Sequence, residues 1–179
     1  LRALEAPERD PGDQRQRDQH EQAQRRDIGP FEVREGQLVD IERDRFILSK
    51  GHGCLALYVV LEKHRLIDKH SLDSFCKFDS VFGGHPENFA SKAIEFSTGS
   101  LGHGPSLGVG MAIGSKLLSK KSRIYVLVGD GELNEGSVWE AAAHAHKHKL
   151  GNLCIVVDWN GMQASGQLED VLDMHPLFE

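Results

Sequence analysis

Asp130 and Asn160 are oxygen-bearing side chains that stand 30 residues apart, each shortly after an apolar run. Asp130 is the middle residue of the turn-forming sequence Gly129-Asp130-Gly131. A carboxylate and a side-chain amide are hard oxygen ligands of the kind that Mg²⁺ and Ca²⁺ prefer. Flanking glycines allow backbone N–H groups to approach a phosphate, which often shares such a metal ion. The pair therefore predicts a metal–phosphate site.

The elements around these two residues are predicted to bring them to one crevice. The runs 124–128 and 153–157 are short, rich in β-branched residues and bounded by turn residues, which favours buried strands. Between them, residues 137–149 have the length and alanine content of a helix. A right-handed crossover of this kind makes the strands parallel and places their carboxyl ends at one edge, where open α/β sheets bind ligands. The predicted fold class is α/β, with a doubly wound, mainly parallel sheet.

A simpler interpretation makes Gly129-Asp130-Gly131 an ordinary tight turn and Asn160 a strand-end cap. The second oxygen ligand, placed after the next strand, favours the metal–phosphate interpretation. The sequence has no paired Cys or His at zinc spacing. His144, His146 and His148 alternate along the predicted helix, so we expect them not to share one face and to form a solvated helix end.

Four ordered motifs resemble the thiamine diphosphate-binding domain of transketolases. The first comprises the Gly-Asp-Gly turn, Glu135, residues 139–141, residues 150–152 and Asn160. The others are RDRFILSKGH at 43–52, GHPE at 84–87 and TGSLGHG at 98–104. They span roughly residues 40–175, and four ordered matches arise by chance far less often than one. The resemblance is strongest to the short N-terminal subunits of split transketolases, in their diphosphate-binding domain.

This resemblance implies thiamine diphosphate and Mg²⁺ as cofactors, with Ca²⁺ or Mn²⁺ as alternative ions. The implied activity is transfer of a two-carbon ketol unit between sugar phosphates. The implied metal ligands are Asp130, Asn160 and the backbone carbonyl of Met162. The implied cofactor-binding residues are His52, Gly99, Leu101, Gly129, Asp130, Gly131, Glu135, Glu140 and Asn160. The implied catalytic residues, which would polarise substrate oxygens, are His52, His85 and His103.

Several of these residues also have a plainer interpretation from the sequence alone. His52 could be a surface or capping histidine, and His85 could be a turn residue before Pro86. His103 stands where many family members have a glutamine. Glu135 and Glu140 could be first-turn charges favoured by the helix dipole, whereas the resemblance implies a buried acidic network at a dimer interface.

Composition limits the remaining classes of function. The chain has 179 residues and a net charge of −6, so it suits one domain and has no basic footprint for nucleic acid. No window is long and apolar enough to span a membrane. Three scattered cysteines, Cys54, Cys76 and Cys154, are predicted to be reduced core residues of a cytoplasmic protein.

The composition also changes near residue 36. Residues 1–35 contain seven arginines and no lysine, whereas all ten lysines lie at or beyond Lys50. We therefore predict two regions. Residues 1–38 form a disordered or non-homologous segment, because they carry too little apolar surface to offset the entropy of ordering. Residues 39–179 form the transketolase-like domain, shortened at its C-terminal end.

One group that the family needs is not found in this sequence. In transketolases, the glutamate that activates the cofactor belongs to a separate pyrimidine-binding domain. The resemblance thus implies a partner, a C-terminal subunit, in a dimer or heterotetramer, and a chain that is inactive alone. Two alternatives remain: the α-subunit of a 2-oxo acid dehydrogenase, and a non-catalytic cofactor-binding remnant. The motifs at 43–52 and 84–87 favour sugars over oxo acids.

Overall fold

Three parallel strands form the central sheet of the computed structural model, which describes Leu38, residues 40–174 and Leu177. The strands are β1 (Arg45–Leu48), β2 (Ile124–Gly129) and β3 (Leu153–Asp158), in the order β1-β2-β3. Val126 lies opposite Ile47 on one side and Ile155 on the other. The predicted parallel pairing of β2 and β3 is confirmed, and the carboxyl ends of all three strands meet at one edge.

Helices and turns connect the strands. The helices are α1 (Cys54–Lys63), α2 (Lys69–Asp73), α3 (His103–Leu117), α4 (Gly136–Lys147) and α5 (Leu168–Leu172). Single 3₁₀ turns at Gly51–Gly53 and Gly131–Asn134 follow β1 and β2. A small antiparallel hairpin of β4 (Met162–Gln163) and β5 (Gly166–Gln167) follows β3. None of the helices in the described part of the chain is long and apolar enough to cross a bilayer.

The main core lies where α3 and α4 pack beside the sheet. Gly108 of α3 lets the helix backbone come very close to β2, because a Cβ atom there would lie 2.6 Å from Val126 Cγ2. The buried members of this core are Ile47, Val109, Ala112, Ile124, Val126, Val128, Leu133, Val138, Ala141 and Leu150. Close packing of α3 on β2 fixes the glycine-rich loop before α3 at the carboxyl edge of the sheet.

A second apolar cluster surrounds Tyr58 of α1. The Tyr58 ring is completely buried and meets the rings of Phe75 and Phe82 edge-on, with centroids 6.0 and 5.0 Å away. Its hydroxyl donates to the carbonyl oxygens of Gly83 and His85 at 3.3 and 3.0 Å. The Tyr58 cluster therefore anchors the loop that carries His85.

Three sequence expectations are wrong in detail. The run that forms β3 is only partly buried, with Val156 47% exposed, because β3 has one strand neighbour among the described residues. Cys54 is a buried free cysteine as predicted, but Cys76 is exposed, since it occupies a tight turn with a φ of 53°. The rings of His144 and His148 stack at 6.1 Å, because residues four apart share a helix face. All but Leu38 of the predicted segment 1–38 lies outside the described residues.

Candidate functional site

Asp130 is a buried carboxylate, 1% exposed, at the carboxyl end of β2. Its Oδ1 accepts a hydrogen bond from the N–H of Gly131 at 2.8 Å, and its Oδ2 accepts one from Gly161 at 2.5 Å. The second bond joins the turn after β2 to the loop after β3. Among the described residues, no Lys, Arg or His forms an ion pair with Asp130. A buried carboxylate without a cationic partner is a suitable ligand for a bound metal ion.

Asn160 and Met162 are the sequence neighbours of Gly161, so the bond from Gly161 holds the loop that carries them next to the Asp130 carboxylate. Asn160 is exposed, and its Nδ2 donates to Asp158 Oδ2 at 3.4 Å. Asn160 Oδ1 accepts a hydrogen bond from the Met162 N–H at 2.9 Å, which orders the loop. In the part of the chain that the structure describes, no group of three or more His, Cys, Asp or Glu side chains could hold a metal. A metal at Asp130 would therefore need amide, carbonyl or phosphate oxygens as its other ligands.

The β4–β5 hairpin covers the turn after β2. A Cβ atom on Gly131 would lie 2.6 Å from Gln163 Cβ, so only glycine lets the hairpin pack there. The buried Nε2 of Gln163 has no hydrogen-bond partner within the described residues. An unpaired buried donor beside Asp130 could be satisfied by a phosphate oxygen or by water. This orphaned donor, and the Asp130 carboxylate without a cationic partner among the described residues, both fit a magnesium-bound diphosphate.

The motifs at 43–52, 84–87 and 98–104 converge at a second part of the same edge. A Cβ atom on Gly51 would lie 3.0 Å from the backbone of Thr98 and Gly99, and one on Gly99 would lie 3.4 Å from the His85 ring. Thr98 Oγ1 donates to the carbonyl oxygen of Leu48 at 2.8 Å, which ties this loop to the end of β1. The structure thus brings together segments that are far apart in the sequence.

The three histidines predicted to be catalytic are all exposed. His52 lies in the turn after β1, and His85 packs its ring against Gly99. His103 is the first residue of α3 and borders a cleft of about 240 Å³ together with Gly99. Leu101, on the chain between these two, is half-buried. The three imidazoles lie on loops that meet at this edge, and because they are exposed they are accessible to a ligand.

The two predicted acidic residues near the start of α4 lie in different surroundings. Glu135 precedes the helix and packs against Gly102. A Cβ atom on Gly102 would lie 2.6 Å from Glu135 Cβ. Glu140 lines a wider groove, of about 570 Å³, beside Ser106 and His144 rather than the cleft next to Gly99. Both glutamates are exposed in the single chain.

Sequence reasoning missed the polar contacts of two charged residues at this edge, Glu132 and Lys50. Glu132 is buried and accepts hydrogen bonds from the Ser49 hydroxyl and from the N–H groups of Gly102 and Gly129. Lys50 donates to Asp158, and this hydrogen bond lowers the pKa of the Asp158 carboxyl. The signal in the sequence was weak: Asp158 directly follows the predicted strand at 153–157, and Glu132 lies four residues after the one at 124–128.

A parallel α/β sheet with a buried carboxylate and glycine turns at its carboxyl edge is typical of domains that bind phosphate-bearing cofactors. Comparison with known families is more specific. Residues 37–175 match the family described as "Transketolase, thiamine diphosphate binding domain". The chain therefore belongs to the transketolase family, in the part that forms this domain.

Individual relatives agree with the family match. The chain is 44% identical over 138 residues to an apulose-4-phosphate transketolase subunit of Phocaeicola vulgatus, covering 77% of this chain and 49% of that protein. It is 41% identical over 135 residues to human transketolase, covering 74% of this chain and 22% of that one. The solved transketolase of Leishmania mexicana superposes with a TM-score of 0.76 at 30% identity, covering 81% and 23% of the two chains. The chain thus spans about half the length of the Phocaeicola relative, and the predicted α/β fold is confirmed.

Proposed function

We propose that this chain is the part of a transketolase-type transferase that binds thiamine diphosphate and Mg²⁺, for transfer of a two-carbon ketol unit between sugar phosphates. The observation that carries the proposal is the buried Asp130 carboxylate. It has no cationic partner among the described residues, and its bond to Gly161 holds the loop that carries Asn160 and Met162 next to it. Family membership of residues 37–175 supports the choice of cofactor.

In this proposal Asp130, Asn160 Oδ1 and the Met162 carbonyl would hold the metal ion, and diphosphate oxygens would supply further oxygen ligands. The glycines at 129 and 131 and the backbone at Gly99 and Leu101 allow close approach of the cofactor. When bound there, thiamine diphosphate would supply the carbon nucleophile for ketol transfer.

The histidines would act on the sugar substrate. His52, His85 and His103 are exposed on loops that meet at one edge of the sheet. Imidazoles in this position can donate hydrogen bonds to carbonyl and hydroxyl oxygens and move protons near neutral pH. Removal of one such group would lower the turnover rate more than the affinity for the cofactor.

We further propose a partner, a C-terminal transketolase subunit that carries the pyrimidine-binding domain. The Phocaeicola relative is named as one subunit of its enzyme, and this chain matches about half of it. Glu135 and Glu140 would then face a subunit interface, in a dimer or heterotetramer in the cytoplasm. The family match favours ketol transfer over the 2-oxo acid dehydrogenase alternative.

Calorimetric titration with thiamine diphosphate in the presence of Mg²⁺ tests the site. Asp130→Asn keeps the size of the side chain but removes its charge, so we expect affinity to fall by more than about tenfold. Omission of Mg²⁺ should weaken binding to the native chain to a similar extent. Asp73→Asn, which alters an exposed carboxylate of α2, is the matched control. Equal binding by the native chain and Asp130→Asn would contradict the metal assignment.

A second measurement addresses the reaction. The chain is mixed with a C-terminal transketolase subunit, and transfer of the ketol unit from a ketose phosphate to an aldose phosphate is followed. Activity that needs both subunits is the expected result. Cofactor binding without any transfer in the mixture would favour the non-catalytic alternative.

A further inference from the structure

Glu132 is a buried carboxylate, 2% exposed, in the turn after β2. Its Oε1 accepts hydrogen bonds from the Ser49 hydroxyl and from the N–H of Gly102, the latter at 2.8 Å. Its Oε2 accepts from the N–H of Gly129 at 3.2 Å. One side chain thus contacts three segments that are separate in the sequence: the end of β1, the loop before α3 and the end of β2.

The turn itself does not need this carboxylate. Its backbone is closed by hydrogen bonds from the Leu133 N–H to the Asp130 carbonyl and from the Glu135 N–H to the Glu132 carbonyl. The Glu132 side chain makes one local contact, with the Gly129 N–H, and two contacts with distant segments, through Ser49 and Gly102. Burial of a carboxylate is costly unless donors compensate it, and here the donors come chiefly from other segments.

Ser49 extends the contact to the first turn of α3. The Gly104 N–H donates to Ser49 Oγ at 3.1 Å, while the Ser49 hydroxyl donates to Glu132. A Cβ atom on Gly104 would overlap the Ser49 side chain, so the serine fits only against a glycine. Glu132 therefore satisfies N–H groups at the start of α3 both directly and through Ser49, and takes the place that an anion would otherwise occupy.

The three contacted segments are those that the proposed cofactor site uses. Gly102 follows Gly99 and Leu101, Ser49 precedes the turn with His52, and Gly129 precedes Asp130. We infer that Glu132 is a positioning residue, which sets the relative positions of these segments so that they can hold the cofactor together. This inference rests on the proposed function, because it names the side chain that assembles the same site.

Glu132→Gln provides the first test. The glutamine can keep an acceptor toward Ser49 and Gly102, but its NH₂ group then faces the N–H of Gly129, donor against donor. We expect thiamine diphosphate with Mg²⁺ to bind about tenfold more weakly, as loss of a hydrogen bond to a charged group predicts. Glu169→Gln, which changes an exposed glutamate of α5, is the control and should bind as the native chain does.

Amide hydrogen exchange measured by NMR on the cofactor-free chain is the second readout. In Glu132→Gln we expect faster exchange of the Gly102 and Gly104 amides, with Val126 in the centre of β2 unchanged. A general loss of stability would instead speed exchange at all three amides. Ser49→Ala should likewise speed exchange of the Gly104 amide, because it removes the acceptor of that N–H.

The effects of Ser49→Ala and Glu132→Gln on cofactor affinity should be less than additive, because both variants break the same hydrogen-bond network.

The outcomes separate the two proposals. If the native chain does not bind the cofactor, the proposed function fails, while unchanged exchange at Gly102 and Gly104 in Glu132→Gln would independently overturn the inference. If the native chain binds and Glu132→Gln binds equally well, the inference fails and the proposed function stands. If Glu132→Gln does not fold, Ser49→Ala tests the same connection, and native-like affinity with native-like Gly104 exchange in that variant would overturn it.

Discussion

The ammonium group of Lys50 donates a hydrogen bond of 2.5 Å to Asp158 Oδ2. Lys50 follows β1 and Asp158 ends β3, and these two strands are not neighbours in the sheet. The Lys50 side chain crosses the carboxyl end of β2, where a Cβ atom on Gly129 would lie 3.9 Å from Lys50 Cβ. The pair thus links the loop after β1 to the end of β3. Lys50 is mostly buried, with 11% of its side chain exposed, whereas Asp158 is 46% exposed.

Replacement of Asp158 by asparagine should give a pH-dependent loss of stability. The hydrogen bond from Lys50 lowers the pKa of the folded-state carboxyl below its ordinary value of 3.8. Its stabilisation is therefore present above that value and is lost as pH falls through the lower pKa of the folded state. We expect Asp158→Asn to cost less than about 1 kcal/mol at pH 7, because the carboxylate is partly solvated.

Urea unfolding between pH 7 and pH 2.5 measures this difference. The gap between the native chain and Asp158→Asn should close at the acidic end of the series. Asp73→Asn, at an exposed carboxylate without an ion pair in the described part of the chain, should show no such pH-dependent gap. A gap for Asp158→Asn that stays constant with pH would rule out the ion pair as its cause.

Two glycines of α3 should respond in opposite ways to alanine. Gly108→Ala forces a methyl group against Val126 and should cost about 1–3 kcal/mol by overpacking. Gly110→Ala meets no atom within 4 Å and should stabilise the helix by about 0.5–1 kcal/mol. Chemical denaturation of both variants checks the pair, each serving as control for the other. The same sign of change in both would argue against the close packing of α3 on β2.

Tyr58→Phe should loosen the loop that carries His85. The variant keeps the ring but removes the hydroxyl that donates to the Gly83 and His85 carbonyls, at an expected cost of about 1–2 kcal/mol. Urea unfolding at pH 7 measures this loss, and proteolysis near His85 should become faster. Unchanged stability would show that the hydroxyl group contributes nothing to stability beyond what the aromatic ring contributes.

The stability of the chain at alkaline pH gives an independent check on the role of Tyr58. Burial raises the pKa of the Tyr58 hydroxyl above its ordinary value of 10.0. Its contribution to stability is thus complete below pH 10.0 and is lost as pH rises through the higher folded-state pKa. The native chain should therefore lose more stability above pH 10.0 than Tyr58→Phe does.

Cofactor binding should raise the thermal stability of the native chain. At a free concentration 100 times the dissociation constant, thiamine diphosphate with Mg²⁺ should add about 2.7 kcal/mol, because it binds only the folded state. A melting series with and without EDTA measures this. Asp130→Asn should lose most of the shift, and an equal shift with EDTA present would contradict a metal-dependent site.

The crossover from β2 through α4 to β3 could be predicted from sequence, because its apolar runs, turn residues and alanine-rich helix are local signals. The strand β1 was missed, since Arg45–Leu48 is only four residues long and becomes a strand by pairing with β2. The exposure of Val156 depends likewise on how many neighbours β3 has. Such properties belong to the assembled sheet rather than to any short segment.

The candidate site shows the same division. Asp130 and Asn160 were identified because each follows a predicted strand, and the motif resemblance supplied the histidines. Glu132 was missed because an acid in a polar turn is ordinarily exposed, and only the approach of Ser49 and Gly102 makes it a buried acceptor. Contacts that depend on loops from distant parts of the chain leave no local pattern.

The order of the sheet has a consequence for how the site assembles during folding. Val126 pairs with Ile155, 29 residues away, and with Ile47, 79 residues away. The longer loop costs about 0.9 kcal/mol more to close, so the β2–β3 pair should form first. Asp130 and Asn160, which follow β2 and β3, would then be in place before β1 pairs with β2 and positions Ser49 and His52. Pulse-labelling during refolding should detect protection of the Val126 amide before that of Ser49. The carboxyl edge of the sheet, which holds the candidate site, would be completed last.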